Sequence, residues 1–259
     1  MRIDLVTIAY NSGVAIEELI DSARSQKGHR VGVRLFLHSS HAPTVAVCEE
    51  IARAPGVQYY PFGYNRGVSR SWNDGILEAY ADGADIVVVA NDDIRFSNGD
   101  LDRLAEKAAR CADRYIVTCA GPHGQYGRTL PSHGYACFAI NPIALAAVGC
   151  FDENFLPAYC EDQDYARRAG LVGLSEENCS DTAVYHAGSA TIMRDPPLAR
   201  QNADTQRLNI LYYSRKWGGI SGRERYERPF GDPSLEIRIA PEHRHAPYGV
   251  YDRSDRRDQ

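Results

Sequence analysis

Over the first 120 positions, short apolar runs alternate with segments whose apolar residues return every three or four places. Residues 3–9 read as a strand, and Val14, Ile16, Leu19, Ile20 and Ala23 then recur at helical spacing. Residues 31–37 form the next strand, and 43–54 a helix opened by Pro43. A short strand at 57–61 precedes a helix at 69–80 with Trp72, Ile76, Leu77 and Tyr80 on one face. Residues 86–90, 101–112 and 115–120 continue as strand, helix and strand. This alternation predicts right-handed crossovers and an α/β fold, with a mostly parallel central sheet covered by helices on both faces.

Beyond Ala120 the rhythm breaks. Residues 121–133, rich in Gly, Pro and His, read as a loop. A strand at 135–140, a short helix at 142–148, a helix at 161–169 after a long loop, and a strand at 182–186 follow. A final helix at 198–217 is closed by Gly218 and Gly219. Residues 220–259 carry much Arg, Pro, Gly and Tyr without periodicity, and read as an irregular arm, partly disordered in isolation. The division expected is a first half at 1–120, a second half at 121–219, and the arm at 220–259.

The apolar run at 86–90 ends in Asn91, Asp92 and Asp93. Ligands of open parallel sheets collect beyond the carboxyl ends of the strands. Adjacent carboxylates there repel one another, and a divalent cation relieves that repulsion. A polar turn with Asp92 or Asp93 as a cap is the alternative reading. Composition narrows the function classes. At 259 residues, 44% hydrophobic, 24% charged and with a net charge of −5, the chain is an ordinary globular sequence and a poor match for a basic nucleic-acid binder. Seven scattered cysteines without a CxxC pair read as reduced thiols. No apolar run approaches the roughly 20 residues of a spanning helix. The chain opens directly on a strand, so a soluble cytoplasmic protein without a signal peptide is the expectation.

Four further signals accompany the acidic turn. Ala9, Tyr10 and Asn11 close the first strand, and Asn11 or the next residue can also cap a helix. Asn65, Gly67, Arg70 and Asn73 lie in a loop entering a helix, where a helix N-terminus and an arginine suit a phosphate. Asp152, Glu153, Glu161, Asp162 and Asp164 crowd the approach to the 161–169 helix, beyond what capping and i,i+4 pairing require. His186 ends a strand.

In this order, these signals resemble the GT-A glycosyltransferases of the family 2 type over about residues 3–219. The resemblance extends through residues 134–140 and 148–153, Glu161-Asp162-x-Asp164, His186, and residues 212–219. It implies an inverting, metal-dependent transfer of a sugar from a nucleotide-diphosphate donor, UDP-linked in the reading preferred here. Asn91-x-Asp93 matches the family's DxD motif with Asn for the first Asp. Asp93 and His186 are then expected to hold Mn2+ or Mg2+, with Asp92 as the candidate for a second carboxylate ligand and Asn91 near the ribose or phosphates. The resemblance also implies that residues 1–120 are the nucleotide-sugar-binding half and 121–219 the acceptor and catalytic half. An imidazole among oxygen donors inclines the choice toward Mn2+. Asp162 matches the catalytic base, with Glu161 beside it to raise its pKa and orient it. Asp152 and Glu153 are expected to hold the acceptor loop or sugar hydroxyls. Ala9, Tyr10, Asn11, Asn65, Gly67, Arg70 and Asn73 are the donor-binding candidates. His38 stands at the end of the second strand, where the family usually has an Asp that reads the base.

A sugar-nucleotide pyrophosphorylase would need a glycine-rich basic loop near the N-terminus, and residues 10–16 offer one Gly and no basic residue. A non-catalytic carbohydrate-binding protein on the same fold has the Asn91 and His38 departures in its favour. Saccharide, glycolipid, protein and modified nucleic acid are all compatible as acceptors. The Arg- and Tyr-bearing arm could cover an acceptor groove or pack against a second subunit in a homodimer.

Overall fold

The computed structural model describes residues 1–188, 196–245 and 247–248, with the backbone alone for 196–199. Seven strands form the main sheet in the order β10-β6-β9-β4-β1-β2-β3. These are β1 (Arg2–Ala9), β2 (Arg30–Leu37), β3 (Val57–Pro61), β4 (Ile86–Asn91), β6 (Ile116–Cys119), β9 (Cys137–Ile140) and β10 (Glu177–Cys179). β1 pairs in parallel with β2 and β4, placing Leu5 between Val33 and Val88. β9 lies antiparallel between β4 and β6, so the second half of the chain is stitched into the sheet of the first.

Alternation along β4 explains the two-faced core. Ile86, Val88 and Ala90 point to one side, with Ile16, Leu19, Leu101 and Leu104 from α1 (Gly13–Arg24) and α4 (Asp100–Arg110). Val87 and Val89 point to the other, with Trp72 and Ile76 of α3 (Val68–Ala81) and Tyr165 of α6 (Glu161–Leu171). α2 (Ala42–Ala52) and α5 (Pro142–Ala147) complete these two helical layers. Both faces are dry, which is why β4 reads as an unbroken apolar run. The seven thiols are free, six of them buried. Among the described residues no helix is long and apolar enough to cross a membrane.

A second sheet runs β5-β11-β7-β8, from β5 (Ile94–Arg95), β7 (Gly121–His123), β8 (Arg128–Leu130) and β11 (Tyr185–His186). It corrects the loop expected at 121–133, which holds β7 and β8. Strands of two or three residues leave no readable alternation and exist through long-range pairing. The strand expected at 182–186 is reduced to β11 for the same reason. The strand expected from 135 starts at Cys137, after a 3-10 turn at Gly134–Ala136. β10, half-polar and at the sheet edge, has no counterpart in the sequence reading.

The last helix, α7 (Pro196–Trp217), ends in a fully buried charge network. Lys216 Nζ lies 2.9 Å from Asp152 Oδ2 and 2.5 Å from Asp164 Oδ1, and Arg168 Nε donates to Asp164 at 2.8 Å. The arm beyond Gly219 is irregular, as expected, but it does not hang free. Ile239 bridges to Gly149, and Ile239 and Tyr248 bury against Cys150. These two side chains give its described part an apolar anchor on the body.

Candidate active site

The carboxyl ends of β1, β2 and β4 lie level in the register, with Ala9 opposite Leu37 and Ile8 opposite Asn91. The acidic turn thus sits at the edge where such sheets hold ligands. The two aspartates divide their work. Asp92 Oδ2 accepts the Tyr10 backbone N–H at 3.2 Å and fixes the end of β1. Burial, with Asp93 alongside, pushes its pKa up to about 6, although a bond from Ser12 opposes the shift.

Asp93 faces His186. Its Oδ1 is 3.2 Å from His186 Nε2, and the two side chains are only 10% and 12% exposed. Backbone N–H groups of Gly188 and Ala187 donate to Asp93 Oδ2 and O at 3.0 and 3.1 Å. β11 makes the meeting possible, since His186 lies opposite Ile94 on one side and His123 on the other. Both residues line a cavity of about 500 Å³ with Tyr10, Asn91, His133 and Asp162.

The pair fits a divalent cation. One carboxylate oxygen and one imidazole nitrogen converge on the wall of an open cavity, which is a donor set suited to Mn2+ or Mg2+. Among the described residues no group of three His, Cys, Asp or Glu is arranged to hold a metal alone. The remaining donors would have to come from a ligand, as the oxygens of a diphosphate would supply.

Glu161 and Asp162 open α6 and line the same cavity. The turn before them holds Tyr159 and Cys160 at φ of +79° and +68°, a costly conformation for side-chain-bearing residues. Burial first, and the neighbouring Asp162 second, push Glu161 up to about 8. Burial also raises Asp162, against bonds from backbone N–H groups. At neutral pH Glu161 therefore keeps its proton beside Asp162.

The rest of the acidic cluster serves the frame. Asp164 and Asp152 face the buried Lys216, with Trp217 and Tyr212 donating to them at 2.8 and 2.9 Å. Glu153 accepts from Asn73 Nδ2 at 3.0 Å and pairs with His245 and Arg244 of the arm. Asp152 and Glu153 hold the loop, one of the two roles expected of them, and neither lines the cavity.

A second cavity of about 580 Å³ adjoins the first through Tyr10, Val68, Ala158 and Tyr159. His38, Asn65 and Arg70 line it, as does Arg66, which sequence reasoning passed over although it sits between Asn65 and Gly67. Burial, then the charge of Arg66, lowers His38 to about 4, so this ring is neutral. Its Nε2 is 2.7 Å from Ser71 Oγ.

Four donor-binding candidates line neither cavity. Ala9 is wholly buried in the core, and Asn11 turns to Ser39. Asn73 spends its amide on Phe151 and Glu153, bridging α3 to the acidic loop. Gly67 has φ +90°, and a Cβ there would come 2.4 Å from Leu156. At the start of α3, Pro157 O accepts the Val68 N–H at 2.8 Å, so this amide is not free for a phosphate. Two histidines beside the Asp93 pair also escaped sequence reasoning. His123 and His133 stand 4.7 and 5.5 Å from the His186 ring, and burial lowers the pKa of both. The histidines of residues 121–133 were the available signal.

Comparison with known proteins agrees with this fold. A curated galactofuranosyl glycosyltransferase from Leishmania donovani is 53% identical over 38 residues, which are 15% of this chain and 9% of that protein. The crystal structure of TarS 1–349 from S. aureus matches with a TM-score of 0.58 at 16% identity, covering 82% of this chain and 65% of that one. It has also been solved with UDP. The mannosyltransferase PcManGT from Pyrobaculum calidifontis, in complex with GDP-Man and Mn2+, gives 0.58 at 16% identity, covering 81% and 70%. The chain spans just under two thirds of the TarS structure and less than a tenth of the curated relative. At such identities the structural likeness speaks for the fold, which is the GT-A arrangement expected from the sequence. The family profile of glycosyl transferase family 2 matches residues 4–147, more than half of the sequence, and the chain belongs to that family.

Proposed function

We propose that the protein is a metal-dependent inverting glycosyltransferase that moves a sugar from a nucleotide-diphosphate donor, preferably UDP-linked, to an acceptor hydroxyl. One observation carries this reading: Asp93 and His186, distant in sequence, meet at 3.2 Å in the cavity that also contains Asp162. The nucleoside would occupy the second cavity beside His38, Asn65 and Arg66, and the sugar the first. Tyr10, on the wall of both, lies at their junction.

Asp93 and His186 would hold Mn2+ or Mg2+, which when bound offsets the charge that a departing diphosphate gains. Asp162 is the base. Its burial strengthens its hold on a proton, and it takes that proton from the incoming hydroxyl. Glu161, still protonated, keeps a second negative charge away from it. With a single carboxylate assigned as base, direct displacement with inversion is the economical route. The complexes of PcManGT with GDP-Man and Mn2+, and of TarS with UDP, support a nucleotide-sugar donor in general.

A thermal-shift screen of UDP, GDP and their sugars, with and without Mn2+, tests the donor class. Ligands that bind only the folded state raise apparent stability by mass action. The reading expects at least one nucleotide sugar to stabilise the protein only with Mn2+, and the same pair to release free nucleotide on incubation. Stabilisation without release would support a carbohydrate-binding protein instead. A response to none of them would overturn the donor assignment.

A further inference from the structure

His133 has no part in the chemistry above, yet its ring forms part of the wall of the first cavity and is only 8% exposed. Its Nε2 lies 2.8 Å from the Val184 carbonyl, which can only accept, so Nε2 carries the hydrogen. Nδ1 of the neutral ring then holds a lone pair, and it has no partner among the described residues. Buried polar atoms without a partner are rare and costly, and at a cavity wall they mark a ligand.

We propose that His133 binds the sugar of the donor, with Nδ1 accepting the proton of a sugar hydroxyl. The inference rests on reading the first cavity as the sugar chamber. The ring is held for that task from several sides. Its backbone N–H donates to Cys119 O at 2.8 Å, and Val184 N–H is held by Ala120 O at 3.1 Å. The His186 ring meets it nearly at right angles, at 87°. A carbonyl that fixes one ring nitrogen leaves the other an acceptor in a single tautomer.

The same arrangement would suit a metal ligand. The described residues, however, contain no group of three donors placed for a cation. A hydroxyl needs one acceptor and no convergence, so it is the partner assigned here. The chamber offers the complementary partner as well. Glu161 Oε2 is the other buried polar atom on this wall without a partner, and sugar hydroxyls both donate and accept. His123 makes no such case, since its ring stacks on Tyr126 at 4.4 Å and does not line the cavity.

Calorimetry with Mn2+ would compare the wild type, His133→Phe and His133→Asn against UDP, GDP, UDP-glucose, UDP-galactose and GDP-mannose. Phe keeps the ring and removes both nitrogens, and Asn restores an acceptor near the position of Nδ1. Both lose the Val184 bond, so any difference between them reports on the acceptor. For whichever nucleotide binds, the free diphosphate should hold to both variants as to the wild type. Its sugar should bind about tenfold more weakly to the Phe variant and largely recover in the Asn variant. Among monodeoxy donors, one should lose affinity for the wild type and lose no more with His133→Phe. Unchanged sugar affinity in the Phe variant would overturn the proposal. Equal loss of free nucleotide would also overturn it, by moving the role to the metal. A wild type that binds neither nucleotides nor their sugars would instead remove the donor-site reading, and this proposal with it.

Discussion

Replacing Glu161 with Gln should stabilise the protein, and by an amount that grows with pH. The carboxyl is buried beside Asp162 and titrates at about 8, against an ordinary 4.5. A raised carboxyl pKa means that the folded state keeps a proton which the unfolded chain has released. Stability is therefore greatest below about pH 4.5 and falls as pH rises toward 8, by at most about 1.4 kcal/mol per pH unit. Across that window the shift corresponds to about 5 kcal/mol. Relaxation and water entry around the carboxyl reduce this, and about 2 kcal/mol is the expected loss. The amide of Gln is neutral at every pH and nearly the same shape, so it removes this slope. Urea unfolding at pH 5, 6, 7 and 8 would measure it. The wild type should lose about 2 kcal/mol more than Glu161→Gln between the ends of the series. Parallel curves would show that Glu161 ionises normally, and would contradict its reading as a protonated neighbour of Asp162.

Asp162→Asn should lower sugar transfer by about 10²- to 10⁴-fold while leaving nucleotide affinity intact, as initial rates and calorimetry would show. Lys216→Met should cost about 3–5 kcal/mol, because Asp152 and Asp164 would remain buried without their shared cation. In a chain of this size that is a fall in melting temperature of about 10 °C by circular dichroism. Gly67→Ala should cost about 1–3 kcal/mol in urea unfolding, from the φ of +90° and the clash with Leu156.

Sequence period revealed the elements that bury apolar faces on a regular schedule. β1, β2, β4 and the helices between them appear within a residue or two of where the pattern puts them. It was silent where structure comes from pairing across distance. β5, β7, β8 and β11 are two or three residues long, and no local signal announces that His186 will lie opposite His123 and beside Asp93. The site candidates divided in the same way. Asp93, Asp162 and His186 could be named from residue type and order, and they face one cavity. Asn73 and Gly67 stand in an equally suggestive motif, yet one bridges a helix to a loop and the other makes room for Leu156. A polar residue that orders backbone looks the same in sequence as one that meets a ligand. Only the surroundings separate them.

The account stands most directly on one titration. Free Mn2+ can be followed by its electron paramagnetic resonance signal as protein is added, with UDP or GDP present, for the wild type, Asp93→Ala and His186→Ala. The wild type should take up the ion with at least one of the nucleotides, and each variant should bind it at least about tenfold more weakly. Mn2+ uptake by either variant matching that of the wild type would contradict the claim that these two side chains share a cation.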